Sequence, residues 1–164
     1  MDCVRFEEML EEFLPEVARI YNYYILNSTA TFHAKELSLD DIRDIVFTGS
    51  TRFKSYAIKD GERICGYSIL SPFKKREAYD ATAEITVYLD AAYTGKGIGS
   101  RAIKHLEKTA ADNGFHVLLA VICGENDSSI KLFQKLGYEK CAHYREVGKK
   151  FGRLLDVVSY QKII

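Results

Sequence analysis

Residues 83–89 alternate between apolar and polar side chains, which is the pattern of a β-strand with two different faces. The apolar positions are Ile85, Val87 and Leu89, and the polar positions are Glu84, Thr86 and Tyr88. A glycine-rich loop, residues 95–99, follows the strand, and a run of apolar residues at helical spacing then stops at Asn113-Gly114. The pattern therefore predicts a strand, a glycine loop and a helix in immediate succession, with the apolar strand face in the core and Glu84 on the opposite face.

The same reasoning divides the rest of the chain into helices and strands. The other predicted helices are residues 12–26, a segment capped by Ser38, and a segment capped by Asp127 or Ser128. The other predicted strands are residues 53–59, 63–70, 115–123, 138–147 and 154–161. The run 115–123 is almost continuously apolar, so we expect it to be buried on both faces. These elements predict an α/β (α+β) fold, a mixed sheet with helices on both faces, in a single domain that covers residues 1–164.

The composition narrows the range of partners. The chain has 164 residues, of which 47% are apolar, which is typical of an ordered globular domain with a sizeable core. Lysine plus arginine and aspartate plus glutamate both number 23, and a neutral chain does not favour nucleic acid, whose phosphates require a basic surface. No apolar run approaches the roughly 18 residues of a membrane span, and the acidic start lacks the regions of a signal peptide. We therefore expect a small-molecule substrate, with neither nucleic acid nor a membrane as partner.

Cysteine and histidine usage predicts neither a disulfide framework nor a metal centre. The 4 cysteines are scattered without a Cys-x-x-Cys pair, and the 4 histidines show no spacing typical of metal ligands. Cys65 and Cys123 lie in strand-like runs, where we expect them to be small core residues. This usage is typical of the reducing cytoplasm.

The glycine loop, residues 95–99, has the chemistry of a phosphate site. Backbone N–H groups at the start of a helix are unpaired, and glycines allow phosphate oxygens to approach them closely. The loop matches neither the Walker spacing nor the dinucleotide-binding fingerprint. The spacing alone leaves two interpretations open, a phosphate site and an ordinary turn from strand to helix.

A wider set of motifs resembles the GNAT N-acetyltransferases. These motifs are the strand end and glycine loop at residues 88–100, Asn126, and Leu132-Phe133-Gln134-Lys135-Leu136-Gly137-Tyr138. Residues 20–22, 29–32, 78–79 and 82–84, with Gly148, Lys150, Gly152 and Asp156-Val157, resemble the phosphinothricin and methionine sulfoximine acetyltransferase branch. The resemblance covers nearly the whole chain. It implies the GNAT acyl-CoA N-acyltransferase fold, with a mixed, mostly antiparallel central sheet flanked by helices, and acetyl transfer to the amine of a small amino acid or analogue.

The resemblance also implies a binding site for acetyl-CoA as cofactor. Backbone groups of Val87, Tyr88 and Leu89 are expected to pair with the pantetheine arm as an added strand would. The pyrophosphate is expected on the backbone amides of Gly95, Lys96, Gly97, Ile98, Gly99 and Ser100. Asn126 is expected near the thioester end of the cofactor.

The acceptor amine requires a base and a pocket. Glu84 is the candidate general base, directly or through a water, because an amine with a pKa of about 8 to 10 must first lose a proton. Lys74 and Arg76 would bind an anionic end of the substrate, and the alternative is that they are solvated surface charges. The resemblance places Tyr79 in or beside the same pocket. Phe32 is either a core residue, which the sequence alone favours, or a wall of the pocket.

Two positions depart from the family pattern. Thr94 stands where the family usually has Gln or Arg, so phosphate binding would depend more on backbone amides and on Lys96. Phe133 stands where many members have a tyrosine that protonates the leaving thiolate, so we assign no general acid.

The motifs include no cysteine nucleophile, and we therefore expect direct transfer in a ternary complex. The branch commonly forms homodimers, so a homodimer is expected. Two alternatives stay open, acetylation of a protein N-terminus or another amine, and a non-catalytic acyl-CoA-binding module.

Overall fold

A seven-stranded sheet forms the centre of the computed structural model, which describes residues 4–164. Its strands are β1 (Val4–Glu8), β2 (Ser55–Asp60), β3 (Arg63–Pro72), β4 (Thr82–Leu89), β5 (Val117–Cys123), β6 (Glu139–Lys150) and β7 (Arg153–Ile163). They lie in the order β1-β2-β3-β4-β5-β7-β6, and every neighbouring pair is antiparallel except β4 and β5. The predicted mixed sheet, mostly antiparallel, is therefore confirmed; Cys3 lies outside the described residues.

Helices cover both faces of this sheet, as the sequence predicts. Within the described residues they are α1 (Leu14–Asn27), α2 (Leu39–Val46), α3 (Ile98–Asp112) and α4 (Asp127–Lys135). The apolar stripes of α1 and α2 pack on one face, and those of α3 and α4 pack on the other. None of these helices is long and apolar enough to cross a membrane. Cys65 and Cys123 are buried, which confirms them as small core residues.

The first elements of the chain differ from the prediction. Strand β1 was missed, although Val4 and Phe6 alternate with charged residues in the period of a strand. It is a short edge strand of 5 residues, which gives a weak sequence signal. Helix α1 begins at Leu14, because residues Glu11–Phe13 form a 3₁₀ turn.

The sequence pattern predicts the N-cap of α2 correctly and that of α4 incorrectly. The Ser38 capping box forms as predicted, with the Ser38 hydroxyl accepting a hydrogen bond from the backbone N–H of Asp41. The predicted cap of α4 is wrong: Asn126, and neither Asp127 nor Ser128, accepts the hydrogen bond from the first turn, at 3.2 Å. Asn is as good a cap as Asp or Ser, so the pattern alone does not choose between adjacent candidates.

Strands β4 and β5 separate in the middle of the sheet. They pair only over residues 82–84 and 117–119, after which β4 stays with β3 and β5 stays with β7. A cleft therefore opens between them, and helix α3 begins at its mouth. Val121 of β5 lines this opening and is 45% exposed, so the predicted burial of β5 on both faces is wrong there.

Candidate active site

The opening between β4 and β5 is a continuous cleft of about 1140 Å³. Its lining comes from α1 with the loop at residues 28–33, from β3, β4 and β5, from the glycine loop with the first turns of α3, and from α4, with one further residue from α2. A cleft of this size accepts an extended cofactor and a small second substrate.

The backbone of β4 presents alternate residues to this cleft. The N–H of Asp90 donates to the carbonyl of Cys65 at 2.8 Å, which sets the alternation of the β3–β4 ladder. In this alternation the backbone N–H and C=O of Tyr88 hydrogen-bond to Tyr67 of β3. The backbone groups of Val87 and Leu89 point away from β3, toward the cleft. The predicted backbone contact with a ligand is therefore open to Val87 and Leu89 but not to Tyr88.

One of these open groups already has a partner. The Tyr24 hydroxyl donates a hydrogen bond of 2.5 Å to the Leu89 carbonyl. The Leu89 N–H and both backbone groups of Val87 thus face the cleft, as at the edge of a sheet that can accept an added strand.

The glycine loop has the geometry of an anion site. Gly95 and Gly97 have φ angles of +73° and +78°, which glycine adopts without strain, and a Cβ at either position would meet no atom within 4 Å. Gly97 is the N-cap of α3 and offers no side chain, so the first-turn N–H groups have no side-chain partner. These groups and the helix dipole favour a bound phosphate.

The side chains around this loop add little to it. Thr94 donates its hydroxyl to the Ala91 carbonyl at 3.0 Å, and the Lys96 ammonium lies 5.1 Å from the Tyr93 ring centroid. Ile98 is buried in the core. We therefore expect backbone amides to be the main phosphate-binding groups of residues 95–100.

Glu84 lies where β4 and β5 separate, at the last of their paired residues. It lines the cleft and is partly buried, and burial raises the pKa of its carboxyl group. Within residues 4–164, no group donates a hydrogen bond to this carboxylate. A carboxylate with a raised pKa and free lone pairs is suited to accept a proton.

A cluster of tyrosines lines the cleft on the Glu84 face of β4. The ring of Tyr88 stacks on Tyr67 with centroids 5.6 Å apart and meets the edge of Tyr21 at 5.1 Å. Burial raises the pKa of Tyr67 and Tyr88, so both hydroxyls stay neutral. Tyr21 and Tyr67 line the cleft although the sequence pattern does not single them out, because their apolar periodicity is also that of core residues.

Phe32 is a wall of the cleft and not a core residue, contrary to what the sequence alone favours. It is 40% exposed, and its loop, residues 28–33, lines the cleft. The loop is tied to the tyrosine cluster, since the Tyr88 hydroxyl donates to the Ala30 carbonyl at 3.0 Å. A side chain in a surface loop is placed by tertiary contacts, which periodicity does not report.

Lys74, Arg76 and Tyr79 do not line the cleft. The Lys74 ammonium lies 5.5 Å from the Tyr79 ring centroid, and Arg76 is exposed. None of the described residues that line the cleft is a lysine or an arginine. The segment nonetheless starts near Glu84, because Ser71 pairs with Glu84 and lines the cleft.

Asn126 and Phe133 lie on the α4 side of the cleft. The Asn126 Oδ1 accepts hydrogen bonds from the first turn of α4, and its Nδ2 makes no hydrogen bond within residues 4–164, so it remains available as a donor. Phe133 is buried and packs edge-on against Tyr138 at 4.9 Å. It has no proton to give. Among residues 4–164, no three His, Cys, Asp or Glu side chains come together as metal ligands.

Comparison with known proteins identifies the family and its relatives. The pattern of the acetyltransferase (GNAT) family matches residues 17–138. Phosphinothricin N-acetyltransferase of Streptomyces coelicolor is 31% identical over 157 residues, which are 93% of this chain and 92% of that protein. The L-methionine sulfoximine/L-methionine sulfone acetyltransferase of Pseudomonas aeruginosa is 33% identical over 153 residues, 90% of this chain and 87% of that protein.

A solved structure with a bound cofactor has the same architecture. The phosphinothricin acetyltransferase of Sinorhizobium meliloti, in complex with acetyl-CoA, superposes with a TM-score of 0.94 at 28% identity. The match covers 99% of this chain and 89% of that one.

Proposed function

The chain belongs to the acetyltransferase (GNAT) family, and from this premise we propose that it acetylates the amine of a small amino acid or amino-acid analogue. The resemblance read from the sequence motifs is thereby confirmed, and so is the expectation of an N-acetyltransferase. The observation that carries the proposal is the position of Glu84, a carboxylate with a raised pKa where the cleft begins. The same relatives support the amino-acid class of acceptor.

Acetyl-CoA is the cofactor, and the cleft fits it. We propose that the backbone of Val87 and Leu89 holds the pantetheine arm and that Asn126 donates near the thioester end. The amides that would hold the pyrophosphate are those of Gly95, Lys96, Gly97, Ile98, Gly99 and Ser100. Support comes from the open space beside the glycines and from the uncapped start of α3.

The chemistry follows from the groups that face the cleft. Bound acetyl-CoA supplies the acetyl group as a thioester. Glu84 takes the proton of the acceptor amine at a carboxylate oxygen, directly or through a water. The open N–H groups of Val87 and Leu89 are donors that can polarise the thioester carbonyl. No cysteine lines the described cleft, which favours direct attack without an acyl-enzyme, and Phe133 offers no acid.

The acceptor would lie on the Glu84 face, against Phe32 and the tyrosine cluster. We propose that Lys74 and Arg76 bind its anionic end, with Tyr79 beside them. Support comes from the chain itself, since this segment follows Ser71 and Pro72 at the edge of the cleft. The segment must then close toward the cleft when substrate binds.

We also propose that residues 1–164 form a single domain, that the protein is cytoplasmic, and that two copies of it assemble as a homodimer. The free cysteines Cys65, Cys123 and Cys141 support a reducing compartment. Large apolar side chains are exposed on the β6–β7 hairpin and support an interface there: Tyr144, Val147, Phe151 and Leu154. Light scattering of the purified protein would measure the assembly.

An acetylation assay tests the function. The panel is free amino acids with L-methionine sulfone, simple alkylamines, and a peptide with a free N-terminus. We expect turnover with a free amino acid and a lower kcat/KM for the matching amine that lacks a carboxylate. If only the peptide is acetylated, the result would favour the alternative that the enzyme acetylates protein N-termini. A melting shift with acetyl-CoA and no turnover of any amine would indicate a non-catalytic module.

A further inference from the structure

The β6–β7 hairpin lies outside the cleft but is attached to the loop at residues 28–33. Lys150, at the end of β6, is only 4% exposed. Its Nζ donates to the carbonyl of Ser28 at 2.7 Å and to that of Thr31 at 2.8 Å. Burying an ammonium is unfavourable unless it is hydrogen-bonded, and here two of its three N–H groups donate to carbonyls of this loop.

Gly148 makes the second link between the hairpin and the loop. A Cβ at Gly148 would lie 2.4 Å from Phe32 Cε1 and 2.8 Å from Cδ1, distances that no packed side chain allows. The ring of Phe32 therefore rests directly on the backbone of β6. Glycine is required here for the close approach and not for its φ angle.

Glu125, at the end of the cleft, makes the third link. It accepts a hydrogen bond of 2.7 Å from the Thr29 hydroxyl and two from the guanidinium of Arg153, at 3.0 and 2.9 Å. These partners lower the pKa of Glu125 to about 2. The loop is thus joined to the hairpin at Thr29, at Phe32 and through Lys150.

The loop in turn contacts the residues that line the acceptor end of the cleft. The Thr31 hydroxyl shares a hydrogen bond of 2.6 Å with the Tyr21 hydroxyl, and the Ala30 carbonyl accepts from Tyr88. A shift of the loop would therefore move Phe32 and the tyrosines together. Within residues 4–164, no hydrogen bond joins these links to the glycine loop or to α3, where the pyrophosphate is proposed.

We infer that Gly148 and Lys150 are positioning residues for the acceptor: from outside the cleft they fix Phe32 and so determine which amine side chains fit. The inference rests on the proposed function in that it takes the Phe32 end of the cleft as the acceptor end. It assigns a role to the Gly148 and Lys150 motif without any contact to substrate.

A double-mutant cycle tests the action of Gly148 through Phe32. We expect Gly148→Ala to raise the KM for L-methionine sulfone about five- to tenfold, the effect of a displaced ring, with the KM for acetyl-CoA unchanged. In a Phe32→Ala background the same substitution should have no further effect, because the ring it displaces is gone. Equal effects in both backgrounds, or equal changes in both KM values, would overturn the inference.

Hydrogen exchange tests the lysine link without any substrate. Lys150→Met should increase amide exchange across residues 28–33, and Lys149→Met, at the exposed neighbour, should not. Unchanged exchange in a folded Lys150→Met protein would overturn the lysine link. Failure of the wild type to acetylate any free amino acid would contradict the proposed function alone, because the exchange experiment needs no acceptor.

Discussion

The two halves of the cleft are built in different ways. In the proposed function, the cofactor half consists mainly of main-chain groups from one stretch of chain, β4 to the start of α3, with the Asn126 side chain near the thioester end. The acceptor half consists of side chains that four separate segments bring together, among them Tyr21, Phe32, Tyr67 and Glu84. Main-chain recognition tolerates most substitutions except those at glycine. Side-chain recognition depends on each residue, and so it can differ between relatives with the same fold.

Tyr88 shows the boundary between the two halves. Its backbone belongs to the β3–β4 ladder, and its side chain belongs to the tyrosine cluster. Its neighbours Val87 and Leu89 have the opposite arrangement. Their backbone groups face the cleft, and their side chains pack against the core cluster that contains Ile98 and Ala102 of α3. The alternation of one strand therefore serves both substrates.

Removal of the proposed base should have the largest effect, and it should be confined to the acceptor half. Glu84→Gln keeps the shape of the side chain but cannot take a proton, so kcat should fall by about 10² to 10⁴ with acetyl-CoA affinity intact. A rise in pH should restore part of the loss, because more of the amine is then neutral. The measurement is kcat against pH with acetyl-CoA affinity alongside.

The kcat of the wild type should itself decrease as the pH is lowered toward the pKa of Glu84. Burial raises the pKa of Glu84 above its ordinary value of 4.5, and only the deprotonated carboxylate accepts a proton. A Glu84→Gln variant with near-normal kcat at pH 7 would remove Glu84 from the mechanism. Loss of melting temperature and cofactor affinity together would indicate a structural role.

Obstruction of the glycine loop should affect only the cofactor half. Acetyl-CoA at a hundred times its Kd should stabilise the wild type by about 2.7 kcal/mol, and Gly97→Val should abolish this stabilisation. Gly61→Val is the matched control, because Gly61 has a similar φ of +60° and open space but lies in the β2–β3 turn. Both variants should lose stability to backbone strain. An acetyl-CoA shift that survives in Gly97→Val would contradict the loop assignment.

Removal of the Arg76 guanidinium should weaken binding of the acceptor by a smaller factor. Arg76→Ala should raise the KM for a carboxylate-bearing amine about fivefold, the effect of one exposed ion pair, and leave that for acetyl-CoA unchanged. Lys75→Ala, at the exposed neighbour, is the control. Equal changes for both substrates, or none, would return Lys74 and Arg76 to the interpretation as solvated surface charges.

The smallest expected effect concerns acid stability. The folded pKa of Glu125 is about 2, below its ordinary value of 4.5, so its links contribute stability that is complete above about pH 4.5. That contribution is lost as the pH falls toward 2. The melting temperature of Glu125→Gln should therefore lie below that of the wild type at pH 6, and the difference should shrink as the pH falls toward 2. A difference that does not change with pH would show that the charge of Glu125 is not involved.

The sequence by itself determined the order of most elements and the position of the groups that we propose for the cofactor half of the site. The strand, the glycine loop and the start of α3 are neighbours in the chain, and their chemistry depends on backbone groups that local pattern predicts. Local pattern did not predict β1, the choice of Asn126 as a cap, or the exposure of Val121. Strand β1 is too short to give a strong periodic signal, the cap depends on which of several equivalent residues lies in place, and the exposure of Val121 depends on where two strands separate.

Only the tertiary structure decided the acceptor half. Tyr21 and Tyr67 have the periodicity of core residues, and their hydroxyls and rings are found at the cleft because α1 packs across β3 and β4. Phe32 rests on Gly148, more than a hundred residues away in the chain, and no spacing rule reports such a contact. Burial also raises the pKa of Glu84, and burial is a property of the packed chain.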